Sequence, residues 1–175
     1  ADILLPDEAA LEKLVAGLMA RPDLRAITSR PVKDILHGPV VLTPKERLIA
    51  AGGGMLDDWR KAICGQLYGL RAEVARSFHV PAGLPVEDGF VRAAVLTDVF
   101  AEPEDLSRID GADTFHVYDS ERSVRGLIRH QCRIVIGGAV NLAVFERFDR
   151  LDGDGVRRAL RAAAQDEGWL RGTVQ

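Results

Sequence analysis

The chain has 175 residues, 47% hydrophobic and 28% charged, with a formal net charge of −3. Such a composition gives one domain of ordinary size with a real core and excludes a disordered or collagen-like chain. So mild a charge also excludes a general nucleic-acid binder, which would show a strongly basic surface. The two cysteines, Cys64 and Cys132, are too few for a disulfide framework and suit a reducing, cytoplasmic compartment. They form no Cys-x-x-Cys or Cys/His set, which argues against structural zinc.

In chain order, the apolar run Ala1–Leu5 predicts the end of a buried strand, which Pro6 breaks. A helix is expected from Asp7 to Met19, because Leu11, Leu14, Val15 and Leu18 fall at helical spacing behind a first turn carrying Asp7 and Glu8. A strand is expected over Leu24–Ser29, ended by Pro31, then a loop to residue 42. Thr43-Pro44-Lys45-Glu46 spells a capping box with proline at the first helical position. Its helix should run toward Lys61 but for Gly52-Gly53-Gly54, where three glycines cost about 1 kcal/mol each and predict a break.

Gln66–Leu70 reads as a short strand, Arg71–Phe78 as a short helix, and Val80–Pro85 as a Pro/Gly loop. A helix is expected over Val86–Val99, an acidic linker over Glu102–Gly111 and a strand over Thr114–Tyr118. Ser120 is the expected cap of a long helix reaching Phe148, with Gly137-Gly138 as its natural kink, and Val156–Gln165 predicts a last helix. The apolar stretch Ile134–Phe145 is interrupted by Gly137, Gly138 and Asn141 and falls short of the roughly 20 residues that span a bilayer. The fold class expected is α/β, helix-rich and with few strands. The first residues show no basic leader, and a start on ADILLP reads as an excerpt of a longer polypeptide.

Three groups could carry chemistry. Glu87 and Asp88 follow the Pro/Gly loop at a helix N-terminus, where the dipole favours an ionised carboxylate, the form a base needs. Acidic residues are also ordinary dipole partners in first turns. Asp2, at a strand end, could hold a hard cation with substrate phosphates completing the shell, or simply cap the next turn. Arg122, Arg125, Arg129 and Arg133 step by three, four and four along one helix face. Their forks suit phosphate oxygens, and a solvated basic face or a contact with anionic lipid fits equally.

Weaker signals drop out. Gly52-Gly53-Gly54 lacks the ending of a phosphate-binding loop. Asp149, Asp152 and Asp154 lack calcium-loop spacing. His37, His79, His116 and His130 show no ligand spacing and read as loop or surface residues.

The order of these signals resembles that of family-2 glycosyltransferases of the GT-A kind. ADILLPDEAALEKLV resembles the end of their metal-binding Asp-x-Asp motif and the helix behind it, with the first Asp before Ala1. CGQLYGLRAEVARSF is similar to the family's glycine-aromatic-arginine segment, and VPAGLPVEDGFVRAAVL to the segment holding its Glu-Asp pair. VYDSERSVRGLIRHQCRIVIGG resembles the late helix with a Gln-x-x-Arg-Trp-type motif. There Arg133 matches the arginine, Ile134 replaces the Trp, and His130-Gln131-Cys132 replaces the usual polar run. The missing Trp favours transfer of single sugars over processive synthesis.

The resemblance covers residues 1–148, the C-terminal part of a catalytic domain, and leaves 149–175 as a helical tail. It implies a partial GT-A fold without the nucleoside-binding half, and no turnover by these residues alone. It implies a nucleotide-sugar donor and a carbohydrate or lipid-linked acceptor, with no nucleic acid. Asp88 would be the catalytic base and Glu87 its supporting neighbour. Arg129 and Arg133 would bind the departing nucleoside diphosphate, and Asp2 would hold Mg²⁺ or Mn²⁺. Two other readings use the same residues: a non-catalytic interaction or membrane-docking domain, peripheral at the cytoplasmic face, and a metal-dependent phosphoryl-transfer or hydrolase domain.

Overall fold

A computed structural model describes residues 3–37, 41–44, 46–47, 58–166 and 168–174. Among them are four strands and six α-helices, an α/β arrangement. The strands are β1 (Ile3–Leu4), β2 (Ala26–Lys33), β3 (Tyr68–Leu70) and β4 (Ile109–Tyr118). They form one mixed sheet in the order β1-β4-β2-β3. The central pair, β2 and β4, is parallel, with Ala26 opposite Ile109 and Lys33 opposite Tyr118. The outer strands β1 and β3 run antiparallel to their neighbours.

Successive strand residues face opposite sides of a sheet, and β2 divides its neighbours accordingly. Ile27 joins Leu14 and Ala112 in a small cluster beneath helix α1 (Ala10–Ala20). Ala26 and Ile109 belong to the main core on the other side. That core takes in α2 (Ala72–Ser77), α3 (Glu87–Leu96), α4 (Val124–Phe148) and α5 (Gly153–Gln165), with Trp169 and Leu170 of α6 (Trp169–Val174) packed on it. At its centre Phe90 is fully buried, with the rings of Phe78, Phe100 and Phe145 between 5.6 and 6.4 Å from its own. Helix α1 buries Leu14 but leaves Leu11, Val15 and Met19 exposed.

The capping box is formed as expected. Thr43 N donates to Glu46 Oε2 at 2.8 Å, and Glu46 N donates back to Thr43 Oγ1 at 3.3 Å. The glycine break at 52–54 lies outside the described residues. Arg71, after β3, donates from its guanidinium to the carbonyls of Leu18, Arg21 and Leu24. Leu18 and Arg21 stand at the C-terminal end of α1, where carbonyls have no helical donor, and Leu24 lies in the segment leading to β2.

Several expectations change. Pro31 does not end its strand, since β2 runs on to Lys33. The ladder to β3 reaches only Thr28, so among the described residues no β3 partner stands opposite Pro31, and a proline there sacrifices no bond of that ladder. The acidic linker is partly strand: β4 starts at Ile109, held by Arg21 on Asp110 and by Lys61 Nζ donating to the Ile109 carbonyl at 2.9 Å. Ser123, not Ser120, caps α4, accepting from Gly126 N at 3.0 Å. Ser120 is buried, and its N–H donates to Asp34. Helix α4 runs unbroken through Gly137-Gly138.

Helix α3 stops at Leu96. Asp98, Val99 and Phe100 follow at φ 51°, 60° and 62°, a left-handed turn that costs roughly 1–2 kcal/mol per residue. It buries Val99 and brings Phe100 to Phe90, while Asp98 forms an ion pair with Arg25.

A candidate active-site pocket at the ends of the parallel strands

Because β2 and β4 are parallel, Lys33 and Tyr118 finish side by side at one edge of the sheet. Open α/β sheets bind ligands outside the carboxyl ends of such strands. A pocket of about 560 Å³ lies there, within the usual size range of small-molecule sites. It is lined by Arg30 to Lys33 and Tyr118 at the strand ends, and by Trp59 and Ile63 to Gln66. The start of α3, with Glu87 and Asp88, and one face of α4, with His130, Arg133 and Ile134, also line it.

The α3–α4 crossing sets this part of the lining. An added β-carbon at Gly137 would lie 2.1 Å from Val86 Cγ2 and 2.8 Å from Val86 Cβ. Only glycine therefore admits α4 this close to the residue capping α3. One turn on, Asn141 Nδ2 donates to the Val86 carbonyl at 2.9 Å, fixing the crossing. One turn back from Gly137 stands Arg133. Close approach at a single glycine thus puts the arginine and the carboxylate pair on one cavity.

Asp88 is partly buried, and its Oδ1 accepts from Gly89 N at 2.8 Å. Its Oδ2 faces Gly65, where an added β-carbon would sit 3.3 Å away. Burial, and then the negative field of Glu87 and Asp88, pushes the Tyr68 phenol up. Burial, reinforced by Asp88, likewise raises the Cys64 thiol. Cys64 is therefore held as a thiol, unsuited to nucleophilic attack. Burial raises the Tyr118 phenol, with the fields of Cys64 and Asp34 adding to it. Lys33 is driven the other way, since burial lowers its ammonium pKa. The pocket is bipolar: carboxylates at the start of α3, cationic groups on β2 and α4.

Of the residues singled out in the sequence, Glu87, Asp88 and Arg133 meet at this pocket. Arg129 stands exposed on α4 and does not line it. Arg122 precedes the helix and forms an ion pair with Asp34, so the four arginines do not act as one face. Asp2 lies outside the described residues. Among the described residues no group of three or more His, Cys, Asp or Glu side chains could hold a metal ion.

Sequence reasoning passed over His130, which lines the pocket, and His116, which is fully buried in β4 with Nδ1 3.1 Å from Ser29 Oγ. His130 had one usable signal, its place three residues before Arg133 on the same helix. Lys33, Trp59 and Tyr118 had none, because they reach the pocket only through sheet pairing and the chain crossing. Comparison with protein-family models, curated proteins and solved structures finds no match for this chain.

Proposed function

We propose that this chain is the acceptor-side part of an inverting, GT-A-type glycosyltransferase of family 2, moving single sugars from a nucleotide-sugar donor to an acceptor hydroxyl. The observation that carries the reading is the shared pocket of Glu87, Asp88 and Arg133 at the ends of the parallel strands. Asp88 takes the proton of the acceptor hydroxyl, whose oxygen forms the new bond to the anomeric carbon. The bond from that carbon to the diphosphate breaks on the far side, and its electron pair leaves with the nucleoside diphosphate. Arg133, which lines the same pocket as Lys33, meets the charge that grows on the leaving group, so it acts mainly in the transition state. Glu87 supports Asp88 and adds to the negative field near it. The reading includes Mg²⁺ or Mn²⁺ on the donor diphosphate through Asp2. Its chemistry would be to neutralise phosphate charge, and no step here is routed through it.

On this reading the nucleoside-binding half lies outside the 175 residues, so transfer is measured on a polypeptide that carries both halves. Asp88→Asn should leave donor affinity, read by calorimetry, within about twofold and lower transfer by about 10²–10⁴. Arg133→Ala should weaken nucleoside diphosphate binding by about tenfold or more, as expected when a charge-assisted contact is lost. Full turnover by Asp88→Asn, or an Arg133→Ala protein that binds nucleoside diphosphate unchanged, sinks the assignment.

A further inference from the structure

The carboxyl ends of β2 and β4 hold a nucleophile whose chemistry sugar transfer does not use. Lys33, the last residue of β2, lies opposite Tyr118, the last residue of β4, and both line the pocket. Only 8% of Lys33 is exposed, a degree of burial that is rare for lysine.

The chain has four lysines, and the described ones differ. Lys13 is exposed, and its hydrogen bond to Asp7 raises its ammonium pKa. Lys61 Nζ donates to the Ile109 carbonyl at 2.9 Å. Burial lowers the pKa of Lys33, which increases the share of neutral amine, the form that attacks a carbonyl carbon. The same burial holds Cys64 as a thiol. The pocket thus suppresses the reactive form of one nucleophile and favours that of the other.

The rest of the lining selects the carbonyl compound. Burial keeps the Tyr118 phenol protonated, so it can serve as an acid at the same strand ends. Arg30 and Arg133 line the pocket, and guanidinium forks bind carboxylates. An amine, a proton donor and arginines in one small cavity match a molecule whose carbonyl stands next to a carboxylate.

We propose that Lys33 forms a covalent imine with α-oxo acids in this pocket, with the substrate carboxylate on Arg133 and Tyr118 as the acid. The Lys33 amine attacks the carbonyl carbon, and a C–N bond forms as the C=O electron pair moves onto oxygen. That oxygen takes a proton from Tyr118, which recovers one from the nitrogen. Tyr118 then protonates the hydroxyl as it departs as water, and the nitrogen lone pair forms the C=N bond. Solvent reprotonates the phenolate. Amine, carbonyl and one proton give an iminium and one water, with no net oxidation. The step needs neither nucleotide nor sugar acceptor, so its failure would leave the transferase reading standing.

The test is reductive trapping on the 175-residue chain. Pyruvate, or acetone as its neutral counterpart, is added with sodium cyanoborohydride, and peptide mapping by mass spectrometry locates the secondary amine. Pyruvate should mark Lys33 ahead of Lys13 and Lys61. The ratio of label on Lys33 to label on Lys13 cancels the intrinsic reactivity of each ketone. That ratio should be about tenfold higher for pyruvate than for acetone, as expected of a charge-assisted contact to the carboxylate. Arg133→Ala should remove the difference, and Tyr118→Phe should slow trapping at Lys33 by about 10²-fold with an unchanged circular dichroism spectrum. Label spread evenly over the lysines, or an equal ratio for the two ketones, overturns the proposal, and both are read on the unaltered chain. So does an Arg133→Ala chain that still prefers pyruvate.

Discussion

Gly137 and Gly138 are adjacent in one helix, yet substitution by alanine should move stability in opposite directions. In helix interiors alanine is favoured over glycine by about 1 kcal/mol. At Gly138 nothing lies within 4 Å of the new β-carbon, so Gly138→Ala should gain about 0.5–1 kcal/mol. At Gly137 the new β-carbon meets Val86 Cγ2 at 2.1 Å, Val86 Cβ at 2.8 Å and the Val86 backbone nitrogen at 3.3 Å. Carbon atoms in contact sit about 3.5–4.0 Å apart, so the helices must part by about 1.5 Å. Valine is stiff about χ1 and its backbone caps α3, so neither can give way as a flexible side-chain tip would. Overpacking of this kind costs about 1–3 kcal/mol. We take the upper end and set the propensity gain against it, leaving a net loss of about 2 kcal/mol for Gly137→Ala.

At about 2–4 °C per kcal/mol for a domain of this size, thermal melting separates the two variants cleanly. Gly137→Ala should also move Arg133 away from Asp88 and weaken ligand binding in the pocket, whereas Gly138→Ala should not. Adding Val86→Ala to Gly137→Ala removes the struck methyl groups and should restore most of the loss. Equal stabilisation by both glycine substitutions would refute the close approach and, with it, the account of how the pocket wall is set.

Two further outcomes follow from local geometry. Hydrogen bonds from Lys13, at 2.7 Å, and from Thr114, at 2.9 Å, hold the Asp7 carboxyl below its usual value of 3.8. A carboxyl depressed in the fold stabilises fully above its unfolded pKa and loses that contribution as pH falls through the folded one. Melting followed from about pH 4.5 to 2.5 should therefore fall less steeply for Asp7→Asn than for the unaltered chain, and parallel slopes would count against the pairing. Ser123→Ala removes the Oγ that accepts from Gly126 N and should cost about 1 kcal/mol. A variant that melts with the unaltered protein would show that this cap contributes nothing.

Local chemistry made much of this protein legible in its sequence. Thr43 and Glu46 form their capping box because both partners sit within four residues. The helical spacing around Leu14, and the helices expected after Val86 and up to Phe148, emerge as α1, α3 and α4, and Glu87-Asp88 falls in the first turn of α3. The sequence by itself also determined that α4 would be cationic, since every charge from Arg122 to Phe145 is an arginine.

Only the tertiary structure decided the rest. Asp110 and Gly111 read as linker because their strand role depends on partners far along the chain, Arg21 and β2 among them. Pro31 could remain in a strand only because β3 is too short to require its missing N–H. Whether an arginine of α4 faced the pocket or the solvent depended on where that helix meets α3. That position is set by contact between Gly137 and Val86, residues 51 apart in sequence. Periodicity states that a helix has faces. Which neighbour each face meets follows from excluded volume between distant segments, which no local pattern encodes.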